Sequence, residues 1–182
     1  IKDLEVAVIE EVDALVLPKV DSPEHVQAIS EIVTELEFER GLEIGRIKYF
    51  VLVETPEGVL RMAETAKADP RIVAISVGSE DLSAAASMAA DDDALYVSNM
   101  HCVMCARAAG ILPMGFIGSI AEFNDMDAFQ GMIERSRRLG FEGSAAIHPN
   151  QVTVLNEVHR PNDEEVEKAK RMIEAYDDAY KQ

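Results

Sequence analysis

Short apolar runs alternate with longer amphipathic stretches along this chain, a pattern that predicts βα units and a parallel sheet. Ala14-Leu15-Val16-Leu17 reads as a strand that stops at Pro18-Lys19, and a helix over about 23–39 follows it. The Ser22 hydroxyl stands where it can accept from the free amides of that helix's first turn. The next strand covers 46–53 and gives way to a helix over about 58–68 that stops before Pro70. A third strand over 72–77 leads into a short helix from Leu82 and a longer one over about 96–109, closed by Gly110. A weaker fourth strand over 112–116 precedes a helix over about 126–139 that ends at Gly140. The fifth strand, 143–147, ends at His148-Pro149, and Asn162 or Asp163 caps a final helix reaching about Tyr180. On that helix Glu164 pairs with Lys168 and Glu167 with Arg171 at i,i+4, as on a solvated face. The opening segment stays open: Leu4, Val6 and Val8 alternate as in a strand, while Leu4, Val8 and Val12 share a helix face.

Five βα units suit either an open doubly wound α/β sheet or part of an eight-stranded barrel. A complete barrel needs at least roughly 200 residues, so a chain of 182 cannot close one by itself. The hydrophobic content of 48% is enough for one ordinary domain with its own core. Starting at Ile1 without a methionine, the chain reads as a piece of something longer.

Charge narrows the partners. The 34 acidic residues against 17 basic ones give a formal charge of -17, which disfavours nucleic acid and anionic membrane surfaces, because such partners need clustered Lys and Arg. The apolar runs fall well short of the ~20 residues that span a bilayer, and no cleavable signal pattern opens the chain. A cytoplasmic protein is expected.

The chemistry gathers at strand ends. Glu54 closes the run Tyr49-Phe50-Val51-Leu52-Val53, and Asp81 follows Ile72 to Val77 in Gly78-Ser79-Glu80-Asp81-Leu82. If the two strands are parallel neighbours, both carboxylates emerge at one rim with their strands only ~5 Å apart. A hard cation such as Mg2+ could bridge them; alternatively, each is a loop carboxylate capping the following helix. Glu80 competes for the ligand role, and Asp81 is preferred because Leu82 starts the helix. The amides of the Gly78–Asp81 turn could also hold a substrate carboxylate. Lys19 ends the first strand at the same rim, either to meet an anionic substrate or as a surface lysine. His148 could be an acid or base near neutrality, or a structural histidine holding its loop; His25, His101 and His159 are assigned no role. Cys102 and Cys105 form a lone C-x-x-C that reads as mid-helix, without a second ligand pair for zinc, so they are expected to be buried or half-buried thiols.

Read together, Leu15-Val16-Leu17-Pro18-Lys19-Val20, Val53-Glu54-Thr55-Pro56, Gly78-Ser79-Glu80-Asp81-Leu82, Arg107-Ala108-Ala109-Gly110, Arg138-Leu139-Gly140-Phe141-Glu142-Gly143 and Ala146-Ile147-His148-Pro149-Asn150-Gln151-Val152 occur in a familiar order and spacing. Across nearly its whole length the chain resembles the citrate lyase beta-subunit family, which includes malyl-CoA lyases. The resemblance implies a TIM barrel, of which this chain would supply about five of the eight βα units plus a C-terminal helix. It also implies a Mg2+-dependent lyase that cleaves a citryl-CoA or malyl-CoA-like thioester into an acyl-CoA and a keto acid, in a homo-oligomer that is commonly a trimer. By the same match Glu54 and Asp81 look like the metal ligands, and the amides of Ser79 to Asp81 like the pocket for the keto-acid end. The metal would chelate a 2-keto acid and stabilise the developing oxyanion. No residue is assigned as the catalytic acid.

Departures accompany the likeness. The family's first three strands, with the arginine that holds the substrate, have no counterpart here. Asn99 and His101 stand where related sequences often have arginine, and Gly115 where many have aspartate. A CoA-independent 2-keto acid aldolase and a non-catalytic regulatory or scaffold member therefore stand as alternatives.

Overall fold

The computed structural model describes residues 1–118 and 125–180. The elements run α1 (Lys2–Ala7), β1 (Ala14–Leu17), α2 (Pro23–Glu39), β2 (Lys48–Val53), α3 (Pro56–Leu60), α4 (Met62–Thr65), β3 (Ile72–Val77), α5 (Ser79–Ala86), α6 (Asp92–Ala109), β4 (Leu112–Pro113), α7 (Met126–Arg138), α8 (Pro149–His159) and α9 (Asp163–Tyr180). The strands form one parallel sheet in the order β1-β2-β3-β4. Met114 makes a parallel bridge to Gly143, which places a fifth segment beyond β4. Each new segment is added on the same side as the last. A doubly wound sheet reverses direction at a switch point, whereas a barrel does not, so this order is that of a barrel wall.

The alternation along β2 shows how the wall is built. Tyr49, Val51 and Val53 are fully buried in the main core with Val26, Val33 and Leu36 of α2 and Leu95, Cys102 and Ala106 of α6. Phe50 and Leu52, at the intervening positions, are only partly buried and line a cavity on the opposite face. Successive strand side chains point to opposite faces, so one hydrophobic set faces the helices and the other faces the barrel interior.

Local signals fix most boundaries. The Ser22 Oγ accepts the His25 amide at 3.3 Å, and Thr55 Oγ1 accepts the Gly58 amide at 3.1 Å, each followed by a proline in the first turn. Asp91 caps α6 by accepting from Ala94 at 2.9 Å, and Gly110 ends it at φ 73°.

Several expectations need correction. The opening segment, for which strand and helix both stood open, is helical over Lys2–Ala7 and turns before β1. The helix expected over 58–68 is broken at Arg61 into α3 and α4. The helix expected from Leu82 starts at Ser79, and the long one expected from residue 96 starts at Asp92. The fourth strand is only two residues long, and Gly115 follows at φ 126° while its amide still donates to Gly143 O at 2.8 Å. With so short a neighbour, the strand expected over 143–147 is reduced to the single bridge at Gly143. α8 was not expected at all, because Pro149-Asn150-Gln151 reads as loop.

Candidate functional site

Three strand ends converge at one rim. Val53 of β2 pairs with Val77 of β3, so Glu54 and Gly78 leave their strands side by side. Glu54 is only 8% exposed. Its Oε2 accepts the backbone amide of Lys19 at 2.7 Å, across from the end of β1. Lys19 adopts φ 53°, one of two non-glycine residues with positive φ among the described residues. Its ammonium lies 3.5 Å from Asp81 Oδ1, with the two side chains 67% and 55% exposed. One residue thus contacts both carboxylates singled out in the sequence.

Gly78 is the N-cap of α5 and, lacking a side chain, makes no side-chain cap hydrogen bond. The amides of Ser79, Glu80 and Asp81 belong to the first turn, where the backbone N–H groups point out of the helix end. They present a positive end at the rim, where an anion is favoured. Below them lies a cavity of about 190 Å3 whose wall includes Phe50, Leu52, Ser76, Gly78, Ser79 and Glu80. Asp81 turns toward Lys19, whereas Glu80 borders the cavity. The preference for Asp81 at the rim therefore rested on a wrong helix start, because both acids lie in the first turn of α5.

The donor set suits a hard divalent cation. Its groups are carboxylate oxygens, one carboxylate is nine-tenths buried and oriented by an amide, and an ammonium already lies against the other. Among the described residues no three His, Cys, Asp or Glu side chains converge as a metal-binding group. A protein that contributes one or two carboxylates and leaves the remaining positions to water and substrate is the usual arrangement for Mg2+.

The other candidates lie elsewhere. His148 is the N-cap of α8: its Nδ1 accepts the Asn150 amide at 3.2 Å, and Gln151 Oε1 reaches back to accept the amides of Ile147 at 2.9 Å and His148 at 3.3 Å. The spacing of a histidine three residues before a glutamine was the available sign of this cap. Cys102 and Cys105 are free and buried, and burial pushes the Cys102 thiol up to about 12.

Sequence reasoning missed a second polar cluster, away from this rim. Glu37 of α2 is fully buried and meets Arg71, just before β3, through two bonds of 2.8 and 2.6 Å. Its oxygens also accept the amides of Ile47 and Gly45, each at 2.8 Å. Burial acts to raise the Glu37 carboxyl, but the Arg71 guanidinium and the two amides outweigh it and hold the group down to about 2. Val26, Ser30, Val33 and Glu37 recur on one helical face, a periodicity that could have revealed the buried glutamate.

Known proteins share this architecture. The chain is 31% identical over 189 residues to the L-malyl-CoA/beta-methylmalyl-CoA lyase of Rhodobacter capsulatus, covering 93% of this chain and 58% of that protein. It is 31% identical to citrate lyase subunit beta of Haemophilus influenzae, over 94% of this chain and 59% of that one. A citrate lyase structure from Burkholderia xenovorans superposes with a TM-score of 0.84 at 21% identity, over 98% of this chain and 59% of the other. CitE of Mycobacterium tuberculosis, solved in complex with magnesium, acetoacetate and coenzyme A, gives a TM-score of 0.71 at 26% identity, over 96% of this chain and 61% of that one. The chain thus spans less than two thirds of the length of each of these four proteins. The HpcH/HpaI aldolase/citrate lyase profile matches residues 1–149. The consecutive parallel strands, the acidic rim and these matches agree: the chain belongs to the HpcH/HpaI aldolase/citrate lyase family.

Proposed function

We propose that this protein is a Mg2+-dependent carbon–carbon lyase that cleaves a citryl-CoA or malyl-CoA-like thioester into an acyl-CoA and a keto acid, with Glu54 and Asp81 holding the metal. The observation that carries this reading is the convergence of both carboxylates on Lys19 beside the start of α5. The names of the relatives and the magnesium and coenzyme A bound to CitE support the class of reaction.

Glu54, oriented by the Lys19 amide, and Asp81 would supply the protein's oxygen ligands. Bound there, the ion supplies Lewis-acid stabilisation of a keto-acid oxygen as charge builds on it. The amides of Ser79, Glu80 and Asp81 receive the keto acid's carboxylate, and the Phe50 and Leu52 side of the cavity takes its carbon chain while excluding water. Binding at both ends fixes the breaking bond against the rim, where positioning lowers the barrier.

The chain acts as a single domain and associates with itself. α9 buries none of its residues and leaves Met172, Ile173, Tyr176 and Tyr180 exposed along its length; an uncovered apolar face favours association. No helix among the described residues is long and apolar enough to cross a membrane.

The test is keto-acid release from citryl-CoA, malyl-CoA and a CoA-free hydroxy-keto acid, each with Mg2+ and with EDTA, for the wild type and Glu54→Gln. The reading requires thioester turnover that EDTA and Glu54→Gln abolish. Turnover of the CoA-free substrate alone would make the protein an aldolase instead, and turnover unaffected by EDTA would remove the metal from the reaction.

A further inference from the structure

We infer that Lys19 is a positioning residue that carries the site's own counter-ion: its amide sets the Glu54 carboxylate, while its ammonium neutralises Asp81 until a divalent ion enters. The inference rests on the reading of Glu54 and Asp81 as metal ligands. It is independent of which substrate is cleaved.

Two independent observations point to it. First, Lys19 holds φ 53°, a conformation that glycine adopts without a steric penalty and a side chain with a β-carbon does not. The strained turn aims two successive amides at β2 and the residue after it: Lys19 donates to Glu54 Oε2 at 2.7 Å and Val20 donates to Leu52 O at 3.1 Å. Glycine would serve that backbone role with less strain. Second, the side chain that glycine would lack crosses to the third strand end and places Nζ 3.5 Å from Asp81 Oδ1. The main chain and side chain of one residue thereby tie together carboxylates that lie 27 positions apart in the sequence.

This arrangement sets a specific electrostatic trade. Without metal, the ammonium offsets the repulsion between carboxylates that share a rim, and Asp81 stays aimed across the β1 end. A divalent ion must compete with that ammonium for Asp81. Once displaced, the lysine is an uncommitted cation beside the turn that receives the substrate's carboxylate. Lys19 therefore weakens metal binding in the absence of substrate and favours it when an anionic substrate is present.

Three variants separate the parts. Lys19→Met keeps the backbone and length without the charge, Lys19→Arg keeps a charge, and Lys19→Gly relieves the turn. Mn2+ binding, followed by the loss of the free-ion electron paramagnetic resonance signal, is measured with and without pyruvate. The expected result is about two- to fivefold tighter Mn2+ binding for Lys19→Met and Lys19→Gly without pyruvate, the size of an exposed ion pair. Lys19→Arg should match the wild type. With pyruvate present, that gain should vanish or reverse for both uncharged variants. Unchanged Mn2+ affinity in Lys19→Met, with Glu54→Gln still impairing binding, would overturn the role of Lys19 and leave the metal site standing. Failure of the wild type to bind Mn2+ would overturn both.

Discussion

Gly78 lies so close to Glu54 that a β-carbon on it would sit 2.4 Å from the glutamate Cγ and 2.7 Å from Oε1. The backbone there is ordinary, with φ -83°, so the requirement for glycine is one of space alone. Gly78→Ala must displace the Glu54 side chain from the Lys19 amide. A destabilisation of about 1–3 kcal/mol is expected from such overpacking, together with at least tenfold weaker Mn2+ binding; thermal unfolding and metal titration check the two effects.

Gly131 provides the opposite case. It lies within α7, and a β-carbon there meets nothing within 4 Å. Gly131→Ala should raise stability by about 0.5–1 kcal/mol through helix propensity, read as a higher midpoint in urea with an unchanged slope.

The Glu37–Arg71 pair should set the acid limit of stability. The folded-state carboxyl is held at about 2 against an ordinary value of 4.5, so the unfolded chain binds the proton first. Its contribution is complete above pH 4.5 and is lost as pH falls through 2, a difference of about 3 kcal/mol. Glu37→Gln leaves Arg71 buried without its charge partner and should cost about 3–5 kcal/mol at pH 7. In urea titrations across that range, the gap between wild type and variant should narrow steadily toward pH 2.

His148 should behave as a helix cap. His148→Ala is expected to cost about 1 kcal/mol, and His148→Asn, which can accept the same amide, a few tenths. In the lyase assay, His148→Asn should leave the dependence of turnover on pH unchanged; a hundredfold fall would instead assign the imidazole to proton transfer.

Both cysteines should be silent in the folded protein. Cys102 is held near 12 by burial and by Cys105, and burial also raises Cys105. Reaction with Ellman's reagent at pH 8 needs the thiolate, so two thiols should titrate only after unfolding in guanidinium. Rapid labelling of the native protein would show that α6 opens.

What was readable in the sequence was local. Strand ends at Leu17, Val53 and Val77 follow from apolar runs that stop at turn residues, and the Ser22 cap from a hydroxyl placed ahead of proline, whereas the same signal at Thr55-Pro56 went unread. Glu37 and Phe38 show where hydropathy alone misleads: the glutamate is fully buried and the neighbouring phenylalanine is 78% exposed. Helical phase, rather than polarity, decides which of two adjacent residues faces the core. Arg71 makes the buried position possible, and that partner stands 34 residues away.

The sequence by itself determined a parallel βα chain with acids at the ends of two strands, because periodicity and capping act within a few residues. Only the tertiary structure decided that Val53 pairs with Val77, that Gly78 therefore gives Glu54 its space, and that Lys19 contacts both Glu54 and Asp81. Register in a sheet is fixed by pairing between segments far apart in the chain. The meeting of two side chains at a rim is a property of that pairing, and neither strand carries it alone.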